Sequence, residues 1–180
     1  MSSTTVTRTG HPFGSEGYKP IAYEINADLG TPEAVFVPTG YGELLYGIWK
    51  GFDELRRLGR APRAPRMIAC EPAAAAPLVK ALRDDVPAAH VKVEATAAGS
   101  IVSPVSGHRG VLAVRSSGGR AVALTDPQLR AAQAELARAG LWTELSSAAG
   151  LAGLRALGPF EGPVVCVSTS SGLKDGHFQL

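Results

Sequence analysis

The feature that most constrains this chain is the run Val35-Phe36-Val37-Pro38-Thr39-Gly40-Tyr41-Gly42-Glu43-Leu44-Leu45-Tyr46-Gly47-Ile48-Trp49-Lys50. A short apolar segment stops at a turn bracketed by two glycines, and a segment of helical period begins at once. This order places backbone N–H groups and the positive end of a helix at the carboxyl end of a strand. Such a corner holds an anion, most often a phosphate. Gly40 and Gly42 permit positive φ and close approach of a ligand to the backbone. An ordinary strand-to-helix turn that needs glycine only for its geometry fits the same spacing equally well. The loop is not a P-loop, which needs the lysine of GxxxxGK[ST]. It is not a dinucleotide fingerprint either, because the third glycine of GxGxxG is missing.

The same grammar recurs along the chain. Strands are expected at Ala34–Pro38, Met67–Cys70, Ala121–Thr125 and Val164–Ser168. Each is a continuous apolar run, as expected of strands covered on both faces. Helical spacing runs from Tyr18 to Leu29, where Gly30 stops it, and recurs over Leu44–Leu58, Ala74–Arg83, His108–Ser116, Pro127–Ala139 and Ser146–Leu157. Asp126 and Pro127 read as an N-cap and first helical residue. The alternation predicts an α/β fold: three αβα layers around a mostly parallel, doubly wound sheet. Residues 1–14 read as a flexible arm and 15–180 as a single domain. In such sheets ligands bind beyond the carboxyl ends of the strands. The loops Thr39-Gly40-Tyr41-Gly42 and Ser168-Thr169-Ser170-Ser171-Gly172 would open on that same rim. The connection from His90 to Gly107 is long and weakly patterned, which points to a functional or interfacial segment.

Composition narrows the function classes. A net charge of +2 is too small to argue for nucleic acid. The densest basic group, Arg56, Arg57, Arg60, Arg63 and Arg66, surrounds a helix end and has no interleaved aromatic residues for base stacking. Cys70 and Cys166 lie in apolar runs that read as buried strands and lack redox or zinc spacing. The isolated histidines His11, His90, His108 and His177 give no metal site. No GxSxG elbow supports a hydrolase. No apolar run is long enough to span a bilayer, so a cytoplasmic location is expected. The segment Glu144-Leu145-Ser146-Ser147-Ala148-Ala149-Gly150 reads as a serine N-cap ahead of a tightly packed helix.

Taken in order, Glu16-Gly17-Tyr18-Lys19, Val37–Leu45, Gly47-Ile48-Trp49-Lys50-Gly51-Phe52, Pro104-Val105-Ser106, Gly118-Gly119, Glu144–Ala149 and Gly172-Leu173-Lys174-Asp175 are similar to one family. The chain resembles threonine synthase and its fold-type II (tryptophan synthase beta-like) pyridoxal-phosphate relatives, over their C-terminal half only. The resemblance implies an incomplete fold-type II fold and pyridoxal 5'-phosphate as cofactor. It implies phosphate binding by the backbone of Gly40, Tyr41, Gly42, Glu43 and Leu44, with the Thr169 hydroxyl near the pyridine nitrogen. It also implies β- or γ-elimination or replacement on an amino-acid substrate. The chain departs from the family at Glu43 and Leu44, at Leu145 and at Ser170-Ser171. A carboxylate beside a phosphate dianion is unfavourable unless it points to solvent or pairs with a cation.

The largest departure is the Schiff-base lysine, which lies in the family's N-terminal half. None of Lys19, Lys50, Lys80, Lys92 and Lys174 matches it, so no catalytic residue is expected in this chain. The expectation is one subunit of a split, heterodimeric enzyme whose partner, an N-terminal-half subunit, supplies the lysine. The chain would then expose an apolar face where that half packs. Loss of the lysine equally fits an inactive, regulatory binding module, and a piece of a longer enzyme remains a third arrangement.

Overall fold

The computed structural model describes residues 13–175. Residues 1–12 of the expected arm lie outside these. Gly14 opens a 3-10 turn, Gly14–Tyr18, that runs directly into helix α1, Lys19–Leu29. Four strands follow: β1 (Ala34–Pro38), β2 (Arg66–Pro72), β3 (Arg120–Leu124) and β4 (Val164–Cys166). Between them lie α2 (Glu43–Arg57), α3 (Pro77–Arg83), α4 (His108–Ser116), α5 (Asp126–Arg138) and α6 (Ala149–Leu157). Within this sheet the three strand pairings are parallel and the order is β3-β2-β1-β4. β1 lies at the centre, in register Ala34↔Arg66 with β2 and Ala34↔Val164 with β4.

Strand alternation sorts the core into two layers. Val35 and Val37 of β1 and Met67 and Ala69 of β2 face Leu45, Ile48 and Phe52 of α2 together with Leu78, Val111 and Val114. Ala34, Phe36, Ile68 and Cys70 face Leu129 and Ala132 of α5 and Ala149 and Ala152 of α6. The result is the expected αβα arrangement.

Several expectations need correction. Only β1 and β2 are covered on both faces, whereas β3 and β4 are edge strands with half-exposed or exposed residues. Cys166 is therefore exposed, while Cys70 is buried. An apolar run signals a strand, but its neighbours decide how far it is covered. The cap of α5 is Thr125, not Asp126, in a reciprocal capping box with Gln128. Asp126 instead accepts hydrogen bonds from Thr96 Oγ1 (2.5 Å) and Ala97 N (2.8 Å). Helix α3 starts at Pro77, after a turn in which Ala75 N donates to Pro72 O. Ser146 is not an N-cap: it lies inside a 3-10 turn, Leu145–Ala148, with its hydroxyl buried.

Candidate functional site

β1 is where the strand order reverses. Its helix α2 leads to β2 on one side, and β4 rises on the other. The crevice beyond the carboxyl ends of β1 and β4 is the topological switch point at which open α/β sheets bind ligands. The two loops singled out in the sequence leave the sheet here, from neighbouring strands.

The β1 loop is tightly held. Thr39 N donates to Cys70 O (2.9 Å), and its hydroxyl turns back to Val37 O (2.7 Å). Gly40 does not use positive φ. Its requirement is space, because a Cβ there would sit 3.2 Å from the carbonyl oxygen of Ile101. Gly42 does adopt the left-handed region, with φ +105°, as the N-cap of α2, and it gives that helix no side-chain cap. The first turn of α2 thus has N–H groups without intrahelical acceptors. A second helix end abuts the same corner. A Cβ on Gly42 would lie 3.1 Å from Gly110 Cα in α4, Gly107 N donates to Tyr41 O (3.1 Å), and α4 also lacks a side-chain cap. Two positive helix ends therefore converge on Gly40–Leu44. The side chain of Leu44 packs against the core, so only its backbone belongs to the corner. Glu43, the first residue of α2, pairs with Arg109 Nη1 of α4 at 3.0 Å. The guanidinium also lies over the Tyr46 ring, 5.5 Å from its centroid.

The β4 loop is more open. Thr169 is exposed, and its Oγ1 lies 2.8 Å from Ser147 Oγ. The loop is tied to the segment before α6: Glu144 N donates to Ser170 O (3.1 Å) and Gly172 N to Trp142 O (3.1 Å). Asp175 Oδ2 accepts from Leu145 N (2.8 Å) and Gln133 Nε2 (2.9 Å). Glu144 accepts from Ser100 Oγ and pairs with Lys174 at 3.3 Å. Beside Thr169 a groove of about 400 Å³ runs between Trp142, Thr143 and Ser168–Ser171. Among the described residues two buried hydroxyls, Thr143 Oγ1 and Ser146 Oγ, have no hydrogen-bond partner. Buried polar atoms are ordinarily satisfied, so the pair marks this rim as unusual.

The residues present fit the phosphate and pyridine ends of the implied cofactor. Two uncapped helix ends offer N–H donors, Glu43 is matched by a cation, and Thr169 offers a neutral hydroxyl. Among the described residues, which include all five lysines, each lysine is paired with a carboxylate. Lys19 pairs with Glu54 at 2.6 Å and with Glu16, Lys50 with Glu16, Lys80 with Asp84, Lys92 with Glu94 at 3.2 Å, and Lys174 with Glu144. The Glu54 carboxylate holds Lys19 well above the ordinary lysine range. A nucleophilic lysine needs the opposite shift.

Sequence reading missed two contributors and flagged a third, the 90–107 connection, without assigning its contacts. Ser147 is the partner of Thr169 rather than part of a helix cap. Arg109 has no motif around it and could have been sought only as the cation that Glu43 requires. The connection 90–107 crosses the rim, bringing Ser100 to Glu144, Ile101 to Gly40 and Gly107 under the Tyr41 ring. Its unusual length was the one available signal.

Residues 2–170 match a family described as pyridoxal-phosphate dependent enzyme. The threonine synthase of Methanosarcina acetivorans is 36% identical over 177 residues, which cover 92% of this chain and 44% of that enzyme. The threonine synthase of Methanocaldococcus jannaschii is 38% identical over 177 residues, again covering 92% and 44%. A fungal L-serine ammonia-lyase from Rhizomucor miehei shares the fold with a TM-score of 0.76 at 20% identity, covering 91% of this chain and 55% of that one. The chain thus spans less than half the length of the curated relatives it matches.

Proposed function

The chain belongs to the pyridoxal-phosphate dependent enzymes, and we propose that it holds pyridoxal 5'-phosphate across the β1–β4 crevice as one subunit of a heteromeric enzyme of threonine synthase type. Gly40, Tyr41, Gly42, Glu43 and Leu44 receive the phosphate through backbone N–H groups. Thr169, oriented by Ser147, meets the pyridine nitrogen. A partner subunit brings the Schiff-base lysine and the substrate-recognition loops. The reaction is a β- or γ-elimination or replacement on an amino acid with an activated, such as phosphorylated, side chain. The cofactor supplies the electron sink for a carbanion beside the amino group. Thr169, being neutral and a poor acid, does not force a proton onto the pyridine nitrogen, which tempers that sink and suits elimination or replacement better than transamination.

One observation carries the reading. Two loops suited to opposite ends of the cofactor leave adjacent parallel strands at the switch point, while each of the five lysines is engaged by a carboxylate. Exposed Leu141, Trp142 and Leu173 beside the Thr169 loop support the docking of a partner at that rim. The test is to add pyridoxal phosphate to the full chain alone and to the chain co-expressed with a lysine-bearing half. The expected result is weak binding by the chain alone and an absorbance band shifted to longer wavelength than that of the free cofactor only in the complex. Such a band in the chain alone would mean that one of its own lysines reacts, and no binding by either sample would overturn the reading.

A further inference from the structure

We infer that Arg109 is a positioning residue for the phosphate loop: it draws the Glu43 carboxylate onto α4 and leaves the first turn of α2 open to a phosphate dianion. The inference rests on reading Gly40–Leu44 as the phosphate site. Glu43 occupies the first position of a helix whose cap, Gly42, has no side chain. A carboxylate there is attracted to the N–H groups of its own helix. Left in that position it would occupy the donors a phosphate needs and repel the dianion as well. Arg109, 66 positions further along the chain, intercepts it at 3.0 Å. The two side chains are only 25% and 20% exposed, so the pair is screened less than one in open solvent.

Arg109 is itself in an otherwise unfavourable place. It lies in the first turn of α4, where the positive helix end disfavours a cation. Pairing with Glu43 and stacking on Tyr46 offset that cost. The close approach of Gly42 to Gly110 keeps α4 within reach of the loop. The guanidinium therefore acts on the phosphate through Glu43, by neutralising and relocating the one anionic side chain of the loop.

The test is a binding cycle on the full chain. Pyridoxal phosphate is titrated against tryptophan fluorescence, with inorganic phosphate as competitor, into the wild type and the Arg109→Ala, Arg109→Lys, Glu43→Gln and Glu43→Gln/Arg109→Ala variants. Arg109→Ala is expected to weaken binding about tenfold or more, because it releases the Glu43 carboxylate from α4 toward the dianion. Arg109→Lys keeps the cation and much of the affinity. Glu43→Gln binds at least as well as wild type, and the double variant regains what Arg109→Ala lost. Equal weakness of Arg109→Ala and the double variant would make Arg109 a direct ligand and overturn the positioning role. Unchanged affinity in Arg109→Ala would overturn it too. A wild-type chain that binds neither probe, alone or with a lysine-bearing half, would overturn the phosphate reading and the role with it, an outcome distinct from the other two.

Discussion

The two strands that frame the crevice, β1 and β4, carry the same kind of sequence and end in different circumstances. Each is an apolar run followed by small and hydroxyl residues. β1 is buried along its whole length, and its loop is clamped by β2, Ile101 and α4. β4 pairs over only three residues, on one side, and its loop leaves Thr169 exposed. Position in the sheet, not local pattern, produces the contrast: β1 has a neighbour on each edge and helices on both faces, whereas β4 has one neighbour. On the proposed reading, the phosphate end of the crevice would thus be formed within the chain, and the hydroxyl end would be the side on which the proposed partner finishes the site.

The sharpest way to break this contrast is to truncate one apolar residue on each strand. Phe36, buried on β1 and in edge-to-face contact with Phe160 at 5.4 Å, should cost about 3–5 kcal/mol as Phe36→Ala in urea unfolding. Val165→Ala on β4 should cost about 1 kcal/mol or less. Comparable losses would erase the distinction.

A second prediction concerns how dry the covered half is. Glu71, fully buried on β2, accepts hydrogen bonds from Leu78 N (2.9 Å) and Val79 N (2.8 Å), yet burial pushes its carboxyl up to about 7. The unfolded carboxyl ionises near 4.5, so between these values the folded chain retains a proton that the unfolded chain has released. The contribution of Glu71 to stability is therefore greatest below pH 4.5 and falls as pH rises through 7, by about 3 kcal/mol in all. Denaturant midpoints measured across that range should show the decline, and Glu71→Gln should flatten it. A wild-type profile parallel to that of Glu71→Gln would mean that water reaches the carboxyl.

The smallest effect is expected at the exposed rim. Thr169→Ala removes the hydrogen bond to Ser147 and should lower stability by about 1 kcal/mol or less. Thermal melts of the full chain would check this. A larger loss would give the β4 loop a structural weight like that of the β1 loop.

The sheet, its two layers and the positions of most helices were legible because apolar periodicity is a local signal. Glycine and proline punctuation fixed His108–Ser116 and the loop at Gly42 closely. What the sequence hid was non-local. The exposure of Cys166 depends on strand order, the Ser147–Thr169 contact on how α6 returns to the sheet, and the Glu43–Arg109 pair on two helices meeting end to end. The cap of α5 was misplaced by one residue because Thr125 and Asp126 are both good caps. Thr125 won through its reciprocal bond with Gln128, which freed Asp126 to hold the 90–107 connection.

The strand order also sets a timetable. Ala34 pairs with Val164, so the central strand gains its second neighbour only when nearly all of the described chain has been made. β1, β2 and the helices after them can pack through shorter connections, whereas β1–β4 pairing closes the longest loop among the described strand pairings and is correspondingly slow. A ligand spanning the Gly42 and Thr169 loops contacts only molecules in which that last step has occurred. Its binding free energy therefore adds selectively to the stability of the finished sheet, making ligand occupancy a readout of completed folding.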